Sequence, residues 1–334
     1  MTLCKATVIV PMYNRCDDSI RCIESLINQN FSFNEFEVLL IDDGSNDDTE
    51  AKVKAKIKNY TNIFYIKNEN NLGRVLTRNI GIQKSRGYIL IFLDNDMIVN
   101  PDFVKAHVEA HSKLGGFKKA VIGNIFYPDY ALVKSNFGRY IQSRAVGYRK
   151  KDKYLIRNNL QFNIEGKYFA GGNSSCPRDI VIGIGSFDKE FEKYGGEDEY
   201  FGYKLTKFGV KIVYEEMAKS LHNDNNVGPE FWSRKYIEYG KYAFSNMLDK
   251  PDYLATSSLS LLSPIKKNKF SISQMKSFLV GVILNKIVEK IVLLYVFKTD
   301  SNNFFYFPLL YKIAQAIWIK KGLESDKDIQ FVNY

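Results

Sequence analysis

Along the first hundred residues, short apolar runs alternate with segments whose apolar residues recur at helical spacing. Ala6 to Val10 is a β-branched run that stops at Pro11 and Asn14, the pattern of a buried strand. Residues 17–29 carry Ile20, Ile23, Leu26 and Ile27 on one helical face. Phe36 to Ile41, Ile63 to Ile66 and Tyr88 to Leu93 repeat the strand pattern, and residues 73–85 and Phe103 to Leu114 repeat the helical one. Continuous apolar strands in the order β-α-β-α-β predict an α/β fold with a mainly parallel sheet covered by helices. Ligands of such sheets bind outside the carboxyl ends of the strands. The polar clusters at 11–14, 42–45 and 94–96 fall there. The pattern becomes less regular from about residue 117, and helical spacing dominates from about 226. This predicts an α/β domain over 1–225 and a helical region over 226–334. Residues 144–157, with Arg144, Arg149, Lys150, Lys151, Lys153 and Arg157, read as a basic surface loop.

Composition narrows the class. The chain has 334 residues, 45% hydrophobic and 25% charged, which excludes wholesale disorder and a polytopic membrane protein. Lys and Arg exceed Asp and Glu by 47 to 37, and the 226–334 stretch holds 15 against 9 of these, so it carries +6 of the net +10. Such a charge favours nucleotide phosphates, nucleic acid or acidic lipid as partners. Cys4, Cys16, Cys22 and Cys176 form no CxxC pair, so a zinc cage is not expected, and they read as reduced thiols of a cytoplasmic protein. The first residues run straight into a strand, without the charged and apolar regions of a signal peptide. Residues 278–297 are strongly apolar but interrupted by Lys286, Glu289 and Lys290, which argues against a spanning helix. They fit a helix packed on the same chain, on another subunit, or on a membrane surface helped by Lys266, Lys267, Lys269, Lys320 and Lys321.

Five constellations carry candidate chemistry. Asp94-Asn95-Asp96 ends an apolar strand with two carboxylates, either a solvated turn or a site for Mg2+ or Mn2+ on a diphosphate. Asp42-Asp43-Gly44-Ser45 is either a turn capping the next helix through Ser45 or a carboxylate for a nucleobase or ribose. Arg78 falls on the first turns of a helix, either exposed or turned to a phosphate or base. Gly171-Gly172 and Gly195-Gly196-Glu197-Asp198 allow close approach of a ligand, and their carboxylates also suit a helix N-terminus. His222 lies in a polar stretch and is either a surface residue or a ligand completing a metal site. His107 and His111, four apart without an acidic third ligand, read as surface residues of a helix.

Together these segments resemble the family 2 glycosyltransferases of GT-A fold. VIVPMYNR, LLIDDGSNDDT, NLGRVLTRNIG and YILIFLDNDM stand in the order of that family. FAGGNSSCPRD and GSFDKEFEKYGGEDEYFGYKLTKFG, followed by His222, are similar to the N-acetylgalactosaminyltransferase half of bacterial chondroitin synthases and to the GGED region of β-1,4-galactosyltransferases. The resemblance covers roughly residues 6–225 and makes that stretch the expected catalytic domain. It implies that Asp42 binds the uracil, with Pro11 and Tyr13 lining the base pocket, and that Arg78 lies near the uridine and diphosphate. It implies Asp94 as the ribose- or metal-side carboxylate, Asp96 and His222 as ligands of Mn2+ or Mg2+, and Gly172 beside the donor sugar. Glu197 would take a sugar hydroxyl and Asp198 would be the base. The tryptophan often found before GGED is Tyr194 here.

The implied reaction is inverting, metal-dependent transfer of a hexose or N-acetylhexosamine from a UDP-sugar to a saccharide or lipid-linked acceptor, with no nucleic acid partner. Bacterial surface polysaccharide is the implied context, in the cytoplasm or at the inner face of the membrane, with the C-terminal helices serving self-association or membrane contact. A peptide or protein acceptor is the alternative within the class. A nucleotidyltransferase, or a binding module without catalysis, is the alternative outside it. The segment VPMYNR after the first strand lacks the Gly-rich basic loop expected of the former.

Overall fold

The computed structural model describes residues 4–113, 118–149, 164–193, 195–223, 227–243, 245–247, 250–254, 286–301 and 306–325. Its strands are β1 (Ala6–Met12), β2 (Phe36–Asp42), β3 (Ile63–Lys67), β4 (Ile89–Leu93), β5 (Met97–Val99), β6 (Lys119–Phe126), β7 (Asn173–Pro177) and β8 (Lys211–His222). The helices are α1 (Cys16–Ile27), α2 (Thr49–Ile57), α3 (Arg74–Lys84), α4 (Phe103–Lys113), α5 (Asp129–Lys134), α6 (Asn136–Arg144), α7 (Arg178–Gly183), α8 (Glu197–Lys207), α9 (Pro229–Ala243), α10 (Pro251–Leu254), α11 (Lys286–Thr299) and α12 (Pro308–Ser325).

All eight strands join one sheet in the order β3-β2-β1-β4-β7-β6-β8-β5. The first four are parallel, β7 runs antiparallel to both β4 and β6, β6 and β8 are parallel, and β5 is antiparallel to β8. Strand alternation divides the core between the two faces. Val8, Val10, Ile91 and Leu93 enter one cluster with α1, while Ile9, Leu90 and Phe92 enter the other with Phe187 and Phe201. Burying one such side chain contributes about 1.5–3 kcal/mol, so the apolar runs fix both the strands and their register. β1 lies between β2 and β4, so the chain leaves it in both directions and a crevice opens at the carboxyl ends of these strands.

The fold is therefore α/β with a largely parallel sheet, as the strand pattern predicts. Two local expectations change. Ser45 does not cap α2, which begins at Thr49; its amide donates to Asp42 Oδ1 (2.9 Å), and its hydroxyl accepts from the Asn14 amide (2.7 Å). His107 and His111 are not surface residues. His107 is 0% exposed and His111 half-buried, because the helix carrying them packs on the sheet, where Asn173 and Ser175 of β7 offer polar partners.

Contact density divides the chain into two compact units. The first comprises Met1–Pro128, Arg144–Glu192 and Glu197–Asp224, and holds the sheet. The second comprises Asp129–Ser143, Lys193–Gly196 and Asn225–Tyr334. Its described residues are helical around a core of Phe137, Tyr140, Val292, Val296, Tyr311 and Trp318. No helix among the described residues is long and apolar enough to cross a membrane. Residues 150–157 of the basic stretch, residues 278–285 of the apolar stretch, and Tyr194 lie outside the described residues.

Candidate active site

The crevice is a cavity of about 280 Å³ whose walls include Pro11, Tyr13, Arg15, Asp43, Arg74, Asp94 and Asp96. The β1 end supplies the first three, the turn after β2 supplies Asp43, and the turn after β4 supplies both aspartates.

Beneath it, Arg78 on α3 is 0% exposed. Its Nη2 donates to Asp94 Oδ1 and its Nη1 to Asp198 Oδ1, both at 2.8 Å. Its guanidinium lies over the Phe187 ring, 5.2 Å from the centroid. Asn79, the next residue, fixes that ring by exchanging two hydrogen bonds with the Phe187 backbone. Asp198, at the start of α8, also accepts the Gly171 amide on Oδ2 (2.8 Å). The two glycines before β7 make this approach possible. A Cβ on Gly171 would stand 2.6 Å from Asp198 Oδ1 and 2.7 Å from Arg78 Cζ, and one on Gly172 would stand 3.0 Å from Asp94 Oδ2.

Charge follows from this packing. Burial works against the Arg78 guanidinium, but Asp198 and Asp94 outweigh it and hold its pKa above the ordinary value. Burial likewise pushes the Asp94 carboxyl up, and Arg78 with Arg74 overrides it, bringing the pKa to about 2. Glu197 lies 3.6 Å from Arg74 Nη1, but burial, reinforced by neighbouring Asp198, outweighs the arginines and raises its pKa.

Asp96 and His222 are 126 positions apart in sequence, yet the antiparallel β5–β8 pair joins them. Met97 stands opposite His222, and the Asn223 amide donates to the Asp96 carbonyl (2.8 Å). The His222 ring stacks on Tyr127, centroids 5.0 Å apart. Asp96 Oδ2 accepts from Arg15 Nη1 (2.9 Å), and its buried Oδ1 has no hydrogen-bond partner among the described residues. A buried, unpartnered carboxylate oxygen suits Mn2+ or Mg2+ that also takes phosphate oxygens, and β5–β8 pairing brings the His222 segment next to it. Among the described residues, no group of three or more His, Cys, Asp or Glu is placed to hold an ion by itself.

Of the residues singled out in the sequence, Pro11, Tyr13, Asp94 and Asp96 line the cavity; Arg78, Asp198 and Gly172 meet behind it. Asp42 is turned away. It is fully buried, and its oxygens accept from the Ser45 amide and the Tyr65 hydroxyl. Asp43 is on the wall instead, accepting from the Leu72 and Gly73 amides (2.9 Å each) and from Asn68. The alternation of a strand end carries this signal: Asp42 is the last residue of β2, paired with Met12, and Asp43 follows it. Arg78 is neither exposed nor on the cavity wall; its two carboxylate partners keep it below. Arg15 and Arg74 are cavity residues that the motifs did not single out.

An α/β sheet with this switch point and a carboxylate-lined crevice has the GT-A fold of glycosyltransferases. The family model "Glycosyl transferase family 2" matches residues 7–183, more than half of the chain, and the chain belongs to that family. It is 27% identical over 240 residues to chondroitin synthase of Escherichia coli, an alignment covering 65% of this chain and 34% of that protein. The chain thus spans about a third of that relative's length. Among solved structures, it superposes with TM-score 0.62 and 15% identity on the mannosyltransferase PcManGT of Pyrobaculum calidifontis in complex with GDP-Man and Mn2+, covering 97% of this chain and 88% of that one. GalNAc-T7 with UDP, GalNAc and Mn2+ follows at TM-score 0.54 and 19% identity, covering 83% and 54%.

Proposed function

We propose that the chain transfers a hexose or N-acetylhexosamine from a UDP-sugar to an acceptor hydroxyl, with inversion and with help from a divalent cation. The observation that carries this reading is the meeting of Asp94 and Asp198 on one buried arginine behind a cavity that Asp96 also lines. Pro11, Tyr13 and Asp43 would receive the nucleoside, with Asp42 bracing the Asp43 turn through Ser45. Asp96 and His222 would hold the cation, which when bound supplies positive charge beside the departing diphosphate.

Asp198 removes the acceptor proton. Arg78 and Gly171 each take one lone pair of a different oxygen, leaving others to accept it. The acceptor oxygen bonds to the anomeric carbon while that carbon's bond to the diphosphate oxygen breaks, and the electron pair leaves with the diphosphate. One displacement converts an α-linked donor into a β-glycoside. Gly172, beside Asp94, leaves room for the sugar, and Glu197 would take one of its hydroxyls. The relative chondroitin synthase supports a saccharide acceptor in surface polysaccharide synthesis.

The test is nucleoside diphosphate release from a panel of UDP- and GDP-sugars, with and without Mn2+, alongside calorimetry of UDP binding. Mn2+-dependent release from a UDP-sugar is expected, and Asp96→Ala and His222→Ala should each abolish the Mn2+ enhancement of UDP affinity. Wild-type Mn2+–UDP affinity in both variants would remove the metal assignment.

A lipid-linked acceptor would place the enzyme at a membrane, and the second unit has a face for it. α11 exposes Ile287, Ile291 and Leu294 beside Lys286, Lys290 and Lys298. Its acidic residue, Glu289, instead accepts from Lys320 on α12 (3.2 Å). A basic, apolar helix face suits an anionic lipid surface. Sedimentation with anionic vesicles that is lost in Ile291→Glu supports this contact; equal sedimentation of both proteins removes it.

A further inference from the structure

Arg15 stands at the cavity wall and has no part in the displacement described above. The loop that presents it is strained: Asn14 and Arg15 both adopt left-handed backbone, with φ of 52° and 59°. Consecutive non-glycine residues in that region are strained and persist only where neighbours over-determine them. Here the Asn14 amide donates to Ser45 Oγ, Asn14 Oδ1 accepts from the Asn46 amide (3.1 Å), and the Cys16 amide donates to Asp47 Oδ2 (3.2 Å). The turn after β2 thereby clamps the turn after β1, and the guanidinium reaches Asp96 after β4.

That guanidinium is held loosely. Its side chain is 50% exposed, with Nη1 on Asp96 Oδ2 (2.9 Å) and Nε on Asp18 Oδ2 (3.0 Å). Asp18 has a second cation, Arg21 at 2.6 Å, and loses little if Arg15 departs. Asp96 has no such reserve in the described structure, so its charge is the one that Arg15 governs.

We propose that Arg15 is an exchangeable counter-ion of Asp96. It covers the carboxylate in the free protein and moves to the donor's diphosphate when a divalent cation takes Asp96. This rests on the reading that Asp96 receives the cation of a nucleotide donor. Two positive groups repel each other on one carboxylate, so the cation alone competes with Arg15 and binds weakly. A nucleoside diphosphate gives the displaced guanidinium two anionic oxygens, so cation and nucleotide bind better together than apart. The exchange is feasible because a half-exposed pair is worth only about 0.2–1 kcal/mol. Arg78, with two buried partners, has no comparable freedom.

The experiment titrates Mn2+ into the full chain by electron paramagnetic resonance, without and with UDP, in wild type, Arg15→Asn and Arg15→Lys. Asparagine tolerates the left-handed backbone, so Arg15→Asn removes the charge and keeps the turn. It should bind Mn2+ alone up to about fivefold tighter, the ratio that a 1 kcal/mol pair represents. It should bind Mn2+–UDP about tenfold or more weaker, the scale of one lost charge-assisted hydrogen bond. Arg15→Lys, which keeps the charge without the fork, should fall between on both measures and stands alone if the asparagine variant does not fold. Unchanged Mn2+ affinity, or equal weakening with and without UDP, overturns the exchange. If UDP and Mn2+ show no mutual enhancement even in wild type, the donor reading itself falls, so the two failures are distinguishable.

Discussion

Two fully buried polar side chains, Arg78 and His107, anchor polar centres tied to the same short segment, Gly171 to Pro177, and they solve burial in opposite ways. On the crevice side, Arg78 remains charged because Asp94 and Asp198 each accept one arm of its guanidinium. On the other side, His107 meets neutral partners among the described residues, Ser175 Oγ and Asn173 Oδ1, both at 2.9 Å. Burial therefore lowers its pKa to about 4, with only the Asn173 hydrogen bond opposing. His111, sharing the same Ser175 hydroxyl, is lowered to about 3 by burial, then by His107 and Lys119. A buried titratable group keeps its charge where counter-charges surround it and gives it up where they do not. The charged centre is the one the proposed mechanism uses, and the neutral one ties the helix carrying His107 to β7.

In the mechanism proposed above, Asp198 is the reactive member of the charged centre. Asp198→Asn keeps size and can still accept from the Gly171 amide, but removes proton acceptance. Turnover at saturating donor and acceptor should fall by about 10²–10⁴, the scale of general-base catalysis, with UDP affinity nearly unchanged. Glu197, facing Arg74 and not Arg78's fork, should behave differently: Glu197→Gln should raise the donor KM. Near-normal transfer by Asp198→Asn would reduce the charged centre to scaffold.

Arg78→Met tests whether the charge itself is needed. Removing one partner of a buried ion pair typically costs about 3–5 kcal/mol. Asp94 and Asp198 are each 25% exposed, which favours the lower end. Arg78→Lys keeps the charge but reaches one carboxylate, so its loss should be intermediate. Urea denaturation at pH 7 reads both, and a methionine variant within about 1 kcal/mol of wild type would erase the distinction between the two centres.

Which parts were legible follows from the range of the interactions. β1 to β4 are apolar runs closed by polar turns, and local pattern suffices for them. β7 is Asn-Ser-Ser-Cys-Pro, fully buried yet mostly polar, and nothing local marks it as a strand. Its Asn173 Oδ1 and Ser175 Oγ are satisfied by His107 and His111, which for the same reason look like surface histidines in the sequence. Arg78 reads as a helix arginine because its partner Asp198 lies 120 residues away. That Asp96 and His222 would share one cation was only an open alternative from the residues, and the resemblance alone paired them; β5, which brings the two segments together, is three residues long and too short to announce itself. Asp42 against Asp43 was within reach of strand alternation, and Arg15 was not, since its backbone conformation depends on the turn after β2.

The neutral centre has its own signature in pH. An unfolded histidine titrates near 6.5, whereas folded His107 titrates at about 4, so below 6.5 the unfolded chain binds the extra proton. The stability that His107 contributes is complete above about pH 6.5 and is lost as pH falls from there toward 4. The gap of roughly 2.5 units corresponds to about 3 kcal/mol in all, with about 1 kcal/mol already gone by pH 5.5. The charged centre titrates in a different window. Asp94 is depressed to about 2 from an ordinary 3.8, so its contribution is complete above about pH 4 and fades only below it. Urea midpoints measured from pH 7 to pH 4.5 should therefore decline in wild type through the histidine window. In His107→Gln the decline should be shallower, because glutamine keeps hydrogen bonds to Ser175 and Asn173 without gaining a proton. His111 titrates in the same window on unfolding, so adding His111→Gln should flatten the curve further. A decline as steep in the double variant as in wild type would mean that the neutral centre does not carry the acid sensitivity of the fold.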